Sequence, residues 1–233
     1  MSRTDTAADH PEEADPDVST PAPVVGRLPG YLQALEALAA AGVVTVSSEE
    51  LAGRCGVSSA VLRRDLSHVG ATGRRGVGYD CPTLAARLRT FLGLDRTRRI
   101  AIAGAGRLGS ALADYAGIHD SGFELVGVLD VDDRLVGSAV GGVRVAHLDT
   151  LDGLVRDHGV ELLVIAVPAP AAQDVADRAV AARVRGLLNF APVVLSVPPE
   201  VPVRHVDLAT ELQVLAHHTA APSTTGNTIR ESL

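Results

Sequence analysis

Three short stretches of this chain carry residues whose types and spacing could do chemistry. The first is GAGRLG at 104–109, which sets Gly104, Gly106 and Gly109 in the frame G-x-G-x-x-G. The first glycine permits a tight turn and the second lets backbone amides approach a pyrophosphate. The third lets the next helix sit against the preceding strand. Glycine-rich turns are common, so the frame alone says little. Here an apolar run, 99–103, precedes it, and a helical pattern over about 107–116 follows. Asp130 closes a second apolar run, ELVGVLD, 21 residues after Gly109. A carboxylate there accepts hydrogen bonds from a ribose diol and repels a 2′-phosphate, which favours NAD over NADP. Arg134 lies close enough to soften that preference without reversing it.

The second stretch, SEELAGRCGVSSAVLRRDLSH at 48–68, has helix-turn-helix spacing. Ser47 or Ser48 can cap a first helix whose Glu49 and Glu50 suit the positive end of its dipole. Ala52 is small where helices cross, Gly56 can take a left-handed turn, and Ser58 can cap a second helix. That helix is expected to turn Val61, Leu62 and Leu66 inward and Ser59, Arg63 and Arg64 outward. Arginine grips phosphate, or guanine O6 and N7 with both arms. An ordinary helical corner would show the same pattern. The third stretch, GATGRRGVGY at 70–79, tips the balance, because Gly73 and Gly76 bracket Arg74 and Arg75. A basic hairpin tip directly after such a helix pair reads as a wing fit for a minor groove.

The elements that must hold these stretches follow from composition. The 233 residues include 21 basic ones, all arginine, since the chain has no lysine. That removes a Walker A lysine, a Schiff-base lysine and a Tyr-x-x-x-Lys pair, none of which a guanidinium can replace. Net charge is -7, yet residues 24–92 carry eight arginines against five acids, a local +3. Residues 1–23 are acidic and lack large apolar groups, and are expected to be disordered. Residues 24–94 read as three helices, a hairpin and a short helix from about Cys81 to Leu94. A charged linker is expected over 95–99 within a domain spanning 95–207, whose short β-rich runs alternate with Ala-rich helices in the manner of a doubly wound parallel sheet. Strands are expected at 99–103, 124–129, 143–146, 162–167, 186–190 and 203–206. A helix over 208–219 and a frayed tail over 220–233 complete the α/β chain. No apolar run reaches the roughly 18 residues of a spanning helix, so the expected location is cytoplasmic with no membrane partner. Cys55 and Cys81 have no CxxC or zinc spacing and read as buried thiols, with a redox switch as the alternative.

Taken together, the chain resembles the Rex family of redox-sensing repressors, in particular its actinobacterial members. The resemblance runs from Arg27 to about Ala216 through RLPGYL (27–32), SSEELA (47–52), RRGVGY (74–79), GRLGSALADY (106–115), LNFAPVVL (188–195) and VDLATELQVLA (206–216). It implies an N-terminal winged helix-turn-helix domain, a Rossmann domain and a swapped C-terminal helix, with Leu208, Leu212 and Leu215 as that helix's apolar stripe. It further implies a homodimer that binds a palindromic operator when free or NAD+-bound and releases it when NADH binds. NAD(H) is then a sensed ligand, and the chain is not an enzyme. By the match, Gly104, Ala105, Gly106, Arg107, Leu108 and Gly109 hold the pyrophosphate, and Asp130 with Val131 the adenosine ribose. Tyr115, Pro168, Asn189 and Asp207 fall near the nicotinamide or the domain junction. The DNA-facing set is Arg27, Ser58, Ser59, Arg63, Arg64, Gly73, Arg74, Arg75 and Gly76. Read without the family, Tyr115 is a helix-surface aromatic and Asp207 a strand-end cap.

The departures are specific. Many members have arginine where this chain has Gln33, in a junction network that senses oxidation state. Glutamine can hydrogen-bond Asp207 but cannot neutralise it, which predicts weaker coupling or a substitute such as Arg27. Val61 stands where a basic residue is common, Leu66, His68, Val69 and Thr72 replace aromatics near the wing, and Leu208 stands where some members have phenylalanine. An oxidoreductase with a helical N-terminal domain is the competing reading. Hydride transfer needs an acid or base near the nicotinamide, and none of the eight histidines (His10, His68, His119, His147, His158, His205, His217, His218) stands at an evident catalytic position. No substrate domain is expected after the sixth strand. A structural scaffold with a vestigial nucleotide fold is the third reading.

Overall fold

The computed structural model describes residues 20–115 and 121–219. The chain divides into two compact units between Arg96 and Thr97. The expectations for residues 1–19, 116–120 and 220–233 lie outside the described residues.

In the N-terminal unit, helix α1 (Ala22–Ala40) buries Leu28, Tyr31, Leu32, Leu35 and Leu38, the i, i+3, i+4, i+7 spacing of one helical face. It begins inside the segment expected to be a tail. Pro23 belongs to its first turn, where a missing N–H costs nothing. Strand β1 (Thr45–Val46) leads into α2 (Ser48–Arg54) and α3 (Ser59–His68). Ser47 caps α2 by accepting from the Glu50 amide at 3.1 Å, and Ser58 caps α3 by accepting from the Val61 amide at 3.3 Å. Between them Gly56 takes φ +67°, the left-handed turn its side chain-free backbone allows. Leu62 and Leu66 are fully buried, but Val61 is not inward as expected: it is 38% exposed. The buried face of α3 runs through Leu62, Asp65 and Leu66, and Val61 stands one step of about 100° away from it.

Strand β2 (Tyr79–Asp80) pairs antiparallel with β1, Val46 opposite Tyr79, and fastens the wing to the helix pair. Gly78 (φ +93°) makes this possible, since a Cβ there would collide with the Val46 carbonyl. Helix α4 (Cys81–Phe91) follows, capped by Asp80, which accepts from the Thr83 amide at 2.9 Å.

The second unit is a seven-stranded sheet. Its elements are β3 (Arg98–Ala103), α5 (Arg107–Ala113), β4 (Phe123–Asp130), β5 (Ala139–Val140), β6 (Val143–His147), α6 (Leu151–His158), β7 (Leu162–Ile165), α7 (Ala169–Ala181), β8 (Gly186–Asn189), β9 (Val203–His205) and α8 (Leu208–Thr219). Strand order is β5-β6-β4-β3-β7-β8-β9, all parallel except β5 at the edge. Removing that edge strand leaves the 3-2-1-4-5-6 order of a Rossmann sheet, with the switch point between β3 and β7. Side chains alternate across β3: Ala101 and Ala103 pack with Leu129, Leu163, Ile165 and the small residues of α7, while Ile100 and Ile102 pack with Leu125, Val128 and Val164. Several boundaries differ from expectation: β3 begins at Arg98, one residue before the expected strand, α4 stops at Phe91 rather than Leu94, α5 stops at Ala113, short of residue 116, and β7 ends at Ile165 rather than 167. None of the described helices is long and apolar enough to cross a membrane.

Among the described residues one charged side chain is buried, Asp65 of α3, at 2% exposure. Both its oxygens are satisfied from α1. Arg27 donates through Nε and Nη2 at 2.7 and 2.8 Å, and the Tyr31 hydroxyl donates at 2.7 Å. The bidentate guanidinium holds the Asp65 carboxyl below its ordinary range, while burial, with the carboxylate beside it, pushes the Tyr31 phenol up to about 12. A carboxyl depressed in the folded state stabilises fully above its unfolded pKa of about 3.9, and that contribution is lost as pH falls through the lower folded value. Asp65→Asn should therefore destabilise the N-terminal unit at neutral pH by about 3 kcal/mol, the cost of breaking a buried pair. Denaturant melts of wild type and variant from pH 7 to pH 2 should converge as the wild-type advantage disappears below pH 4. A constant gap would show that Asp65 is not the titrating group.

Candidate functional site

The second unit places its glycine-rich turn at the switch point. β3 ends at Ala103, Gly104 turns the chain at φ +103°, and α5 starts at Arg107. The three glycines differ in what a side chain would meet. A Cβ on Gly104 would stand 2.5 Å from the Ala166 carbonyl oxygen, and one on Gly109 would collide with the carbonyl of Gly104. A Cβ on Gly106 would meet nothing within 4 Å. Two glycines thus close the backbone on itself, and the middle one keeps a cradle open where a pyrophosphate would lie.

Asp130, at the end of β4, is tied into the same loop. One carboxylate oxygen accepts from the Ala105 amide at 2.7 Å and the other from the Asp132 amide at 2.9 Å. Each oxygen keeps a further lone pair for a ribose hydroxyl. Arg134, four residues on, is engaged by Asp132 at 2.6 Å, which holds the Asp132 carboxyl down at about 2.

A cleft of about 190 Å³ opens beside the loop, lined by Gly104, Gly106, Asp130, Val131, Leu148, Val167, Pro168, Ala171, Asp174 and Val175 among others. The structure so brings together Gly104, Gly106, Asp130, Val131 and Pro168 of the residues read from sequence. Ala105, Arg107, Leu108 and Gly109 adjoin them in the turn and first turn of α5. Val131 is 67% exposed at the mouth, and Pro168 caps α7. Tyr115, Asn189 and Asp207 do not line this cleft. Tyr115 lies beyond the end of α5 and is 61% exposed. Asn189 is fully buried and spent on its own chain: Oδ1 accepts from the Ala191 amide at 2.9 Å and Nδ2 donates to the Val193 carbonyl at 2.9 Å. Asp207 caps α8, accepting from the Ala209 amide at 2.9 Å and the Thr210 hydroxyl at 2.8 Å, which lowers its pKa. Leu148, Ala171 and Asp174, which the sequence reading missed, carry no motif and reach the cleft only through tertiary packing.

In the N-terminal unit the outward side of α3 and the wing bear the cations. Arg63 is held by Ser48 Oγ at 2.9 Å and Glu49 at 3.3 Å. Ser59 lies one turn before it and accepts from it at 3.4 Å. Arg64 is exposed on α3, and its side chain has no hydrogen-bond or ion-pair partner among the described residues. In the wing, Arg74 pairs with Gly78 through backbone bonds of 2.8 and 2.9 Å, so Arg75, Gly76 (φ +77°) and Val77 form the tip. Gly73 does not bracket the tip as expected. It lies before the turn, packed on the Tyr79 ring, and Gly78 closes the base instead. Arg27, counted with the DNA-facing residues, is committed to Asp65 and is 35% exposed, so its main bond is structural. The missed partner carried a signal: Asp65 falls three residues after Leu62, on that helix's apolar face. Cys55 is half-buried and Cys81 buried, and no grouping of three metal-ligating side chains occurs among the described residues.

The glycine geometry separates two kinds of damage. Gly109→Ala should lower the melting temperature of the second unit, because the loop must open. Gly106→Val should leave melting unchanged while abolishing dinucleotide binding, measured by titration calorimetry. Retained binding in a folded Gly106→Val protein would remove the cradle assignment.

Comparison with known proteins bears on both units. Residues 95–193 match the family model described as "CoA binding domain", and residues 19–67 match that described as "Putative DNA-binding protein N-terminus". The redox-sensing transcriptional repressor Rex of Streptomyces griseus is 51% identical over 85% of this chain and 78% of its own length. That of Syntrophomonas wolfei is 46% identical over 86% and 95%. Among solved structures, RSP in complex with β-NAD+ and operator DNA superposes with a TM-score of 0.81 at 34% identity, covering 87% of this chain and 93% of that one. RSP in complex with β-NADH gives 0.78 at 33%. Identity of this level, spread over the glycine-rich cleft and the winged helices alike, makes the chain a member of the Rex family of redox-sensing transcriptional repressors.

Proposed function

We propose that the chain is a cytoplasmic, homodimeric repressor that holds palindromic operator DNA when nucleotide-free or NAD+-bound and releases it when NADH binds. The observation that carries this is the likeness, through both units, to a Rex-family repressor solved with β-NAD+ and operator DNA and again with β-NADH. It is a regulator and not an enzyme. Gly104, Ala105, Gly106, Arg107, Leu108 and Gly109 hold the pyrophosphate, and Asp130 and Val131 take the adenosine ribose. The Asp130 carboxylate selects against a 2′-phosphate. Pro168 borders the cleft, Tyr115 and Asp207 serve the nicotinamide end and the junction, and Asn189 acts indirectly by holding the turn at Ala191 and Val193. On DNA, Ser59, Arg63 and Arg64 face the major groove and the wing tip, Arg75 and Gly76, the minor groove, with Arg74 on the DNA side of the wing base. Ser58 and Gly73 shape those elements, and Arg27 acts through Asp65.

Dimerisation is assigned to α8. Leu208, Leu212 and Leu215 are 66%, 65% and 57% exposed along one stripe, apolar area worth about 1.5–3 kcal/mol per leucine once covered. Exchange of this helix between two chains covers it.

The bound nucleotide supplies one unit of charge and a ring pucker that differ between its two redox states. The residues around the nicotinamide end turn that difference into unequal affinity for two arrangements of the dimer. A hundredfold preference shifts the equilibrium by about 2.7 kcal/mol. Only one arrangement sets the two α3 helices a DNA turn apart, about 34–36 Å.

Gel shifts on a palindromic DNA pool should show binding by the purified protein, release at micromolar NADH and no release by NAD+. Unchanged DNA affinity throughout an NADH titration would reject the switch, and NADH consumption at 340 nm with a candidate substrate would revive an oxidoreductase. Leu212→Asp should sediment as a monomer and lose operator affinity; a stable dimer would move the interface elsewhere.

A further inference from the structure

The N-terminal unit contains a second cleft, of about 400 Å³, that the winged-helix reading leaves without a role. It is lined by Arg74 at the wing base, Thr45 of β1, Thr72 after α3, and Asp80, Thr83 and Arg87 around α4. Asp80 is already spent, accepting from the Thr83 hydroxyl and from the Thr83 amide at 2.9 Å, which holds its carboxyl below the ordinary range. The hydroxyls of Thr45 and Thr72 and two guanidinium groups remain.

Ion pairing sorts the eight arginines between residues 24 and 92. Arg27 is bound to Asp65, Arg54 to Glu50, Arg63 to Glu49 and Arg89 to Glu36. Arg64, Arg74, Arg75 and Arg87 are exposed, and their side chains have no hydrogen-bond or ion-pair partner among the described residues. Three of these four stand on the recognition helix or the wing. The fourth, Arg87, stands on α4, outside both. Its guanidinium lies over Gly70, just past the end of α3, where a Cβ would come within 3.0 Å of Nη2. A glycine at φ +64° thus lets a cation rest on the backbone between the recognition helix and the wing.

We propose that Arg87, with Arg74 and the hydroxyls of Thr45 and Thr72, holds a backbone phosphate of the operator. The strand concerned is the one dividing the major groove read by α3 from the minor groove met by the wing, and it must pass between those two elements. This rests on the DNA-binding reading above. Arg87 is a positioning contact that adds affinity at every sequence alike.

The test is salt dependence. Arg87→Met keeps the aliphatic stem over Gly70 and removes the charge. Each neutralised phosphate contributes about 0.9 to the slope of log K against log salt. The Arg87→Met dimer gives up one phosphate contact per protomer, and should therefore lose about 1.8 units of slope and bind operator and scrambled duplex more weakly by the same factor. NADH affinity and melting temperature should stay at wild-type values, and Arg87→Lys should restore the slope. A full wild-type slope in Arg87→Met overturns the proposal while leaving the repressor reading intact, whereas a wild-type protein that binds no DNA overturns both. Inorganic phosphate, compared with chloride at equal ionic strength, separates the other source. If it stabilises wild type but not Arg87→Met, and the DNA slope is unchanged, the cleft belongs to a free anion and the proposal is wrong.

Discussion

The nucleotide-binding unit depends on a backbone approach that no side chain could tolerate. α5 leaves the turn so close to the end of β3 that the carbonyl of Gly104 occupies the place of a Cβ on Gly109. Once that approach is made, the loop amides are fixed, and the Asp130 carboxylate can reach across from β4 to take the Ala105 amide. The turn, the next strand and the mouth of the cleft are therefore one rigid assembly. The remaining freedom lies at Gly106, where the space is left open for a ligand.

In the N-terminal unit the comparable constraint is electrostatic. A carboxylate inside a small apolar core must be neutralised, and the only geometry that satisfies both its oxygens draws them from two positions one turn apart on α1. Such a pair adds little net stability over a hydrophobic replacement, but it admits few alternative placements. It thereby sets the rotation of α3 about its own axis, which decides which residues look outward.

The strands were legible because apolar runs of four to eight residues between turn signals have few other readings, and all six that were expected occur. The glycine frame was legible for the same reason: each glycine had a distinct steric task. What escaped was what depends on contacts between distant segments. Val61 looked like core by type, yet the helix face had been taken by Asp65, whose partner sits 38 residues earlier. The wing was placed correctly but its closing glycine was misassigned, because Gly78 acts through the carbonyl of Val46 in a strand of two residues that no pattern reveals. The same limit applies to Leu148, Ala171 and Asp174 in the cleft and to Arg87.

The aromatic inventory has an optical consequence. There is no tryptophan and there are three tyrosines, so ultraviolet emission comes from phenols alone. Tyr31 and Tyr79 are buried at 1% and 6% in the N-terminal unit, and Tyr115 is 61% exposed in the other. The Tyr31 hydroxyl donates a hydrogen bond to the Asp65 carboxylate, an arrangement that quenches a phenol's excited state. Release of the Tyr31–Asp65 bond should therefore raise the emission of the N-terminal unit, a signal of its integrity that needs no attached dye.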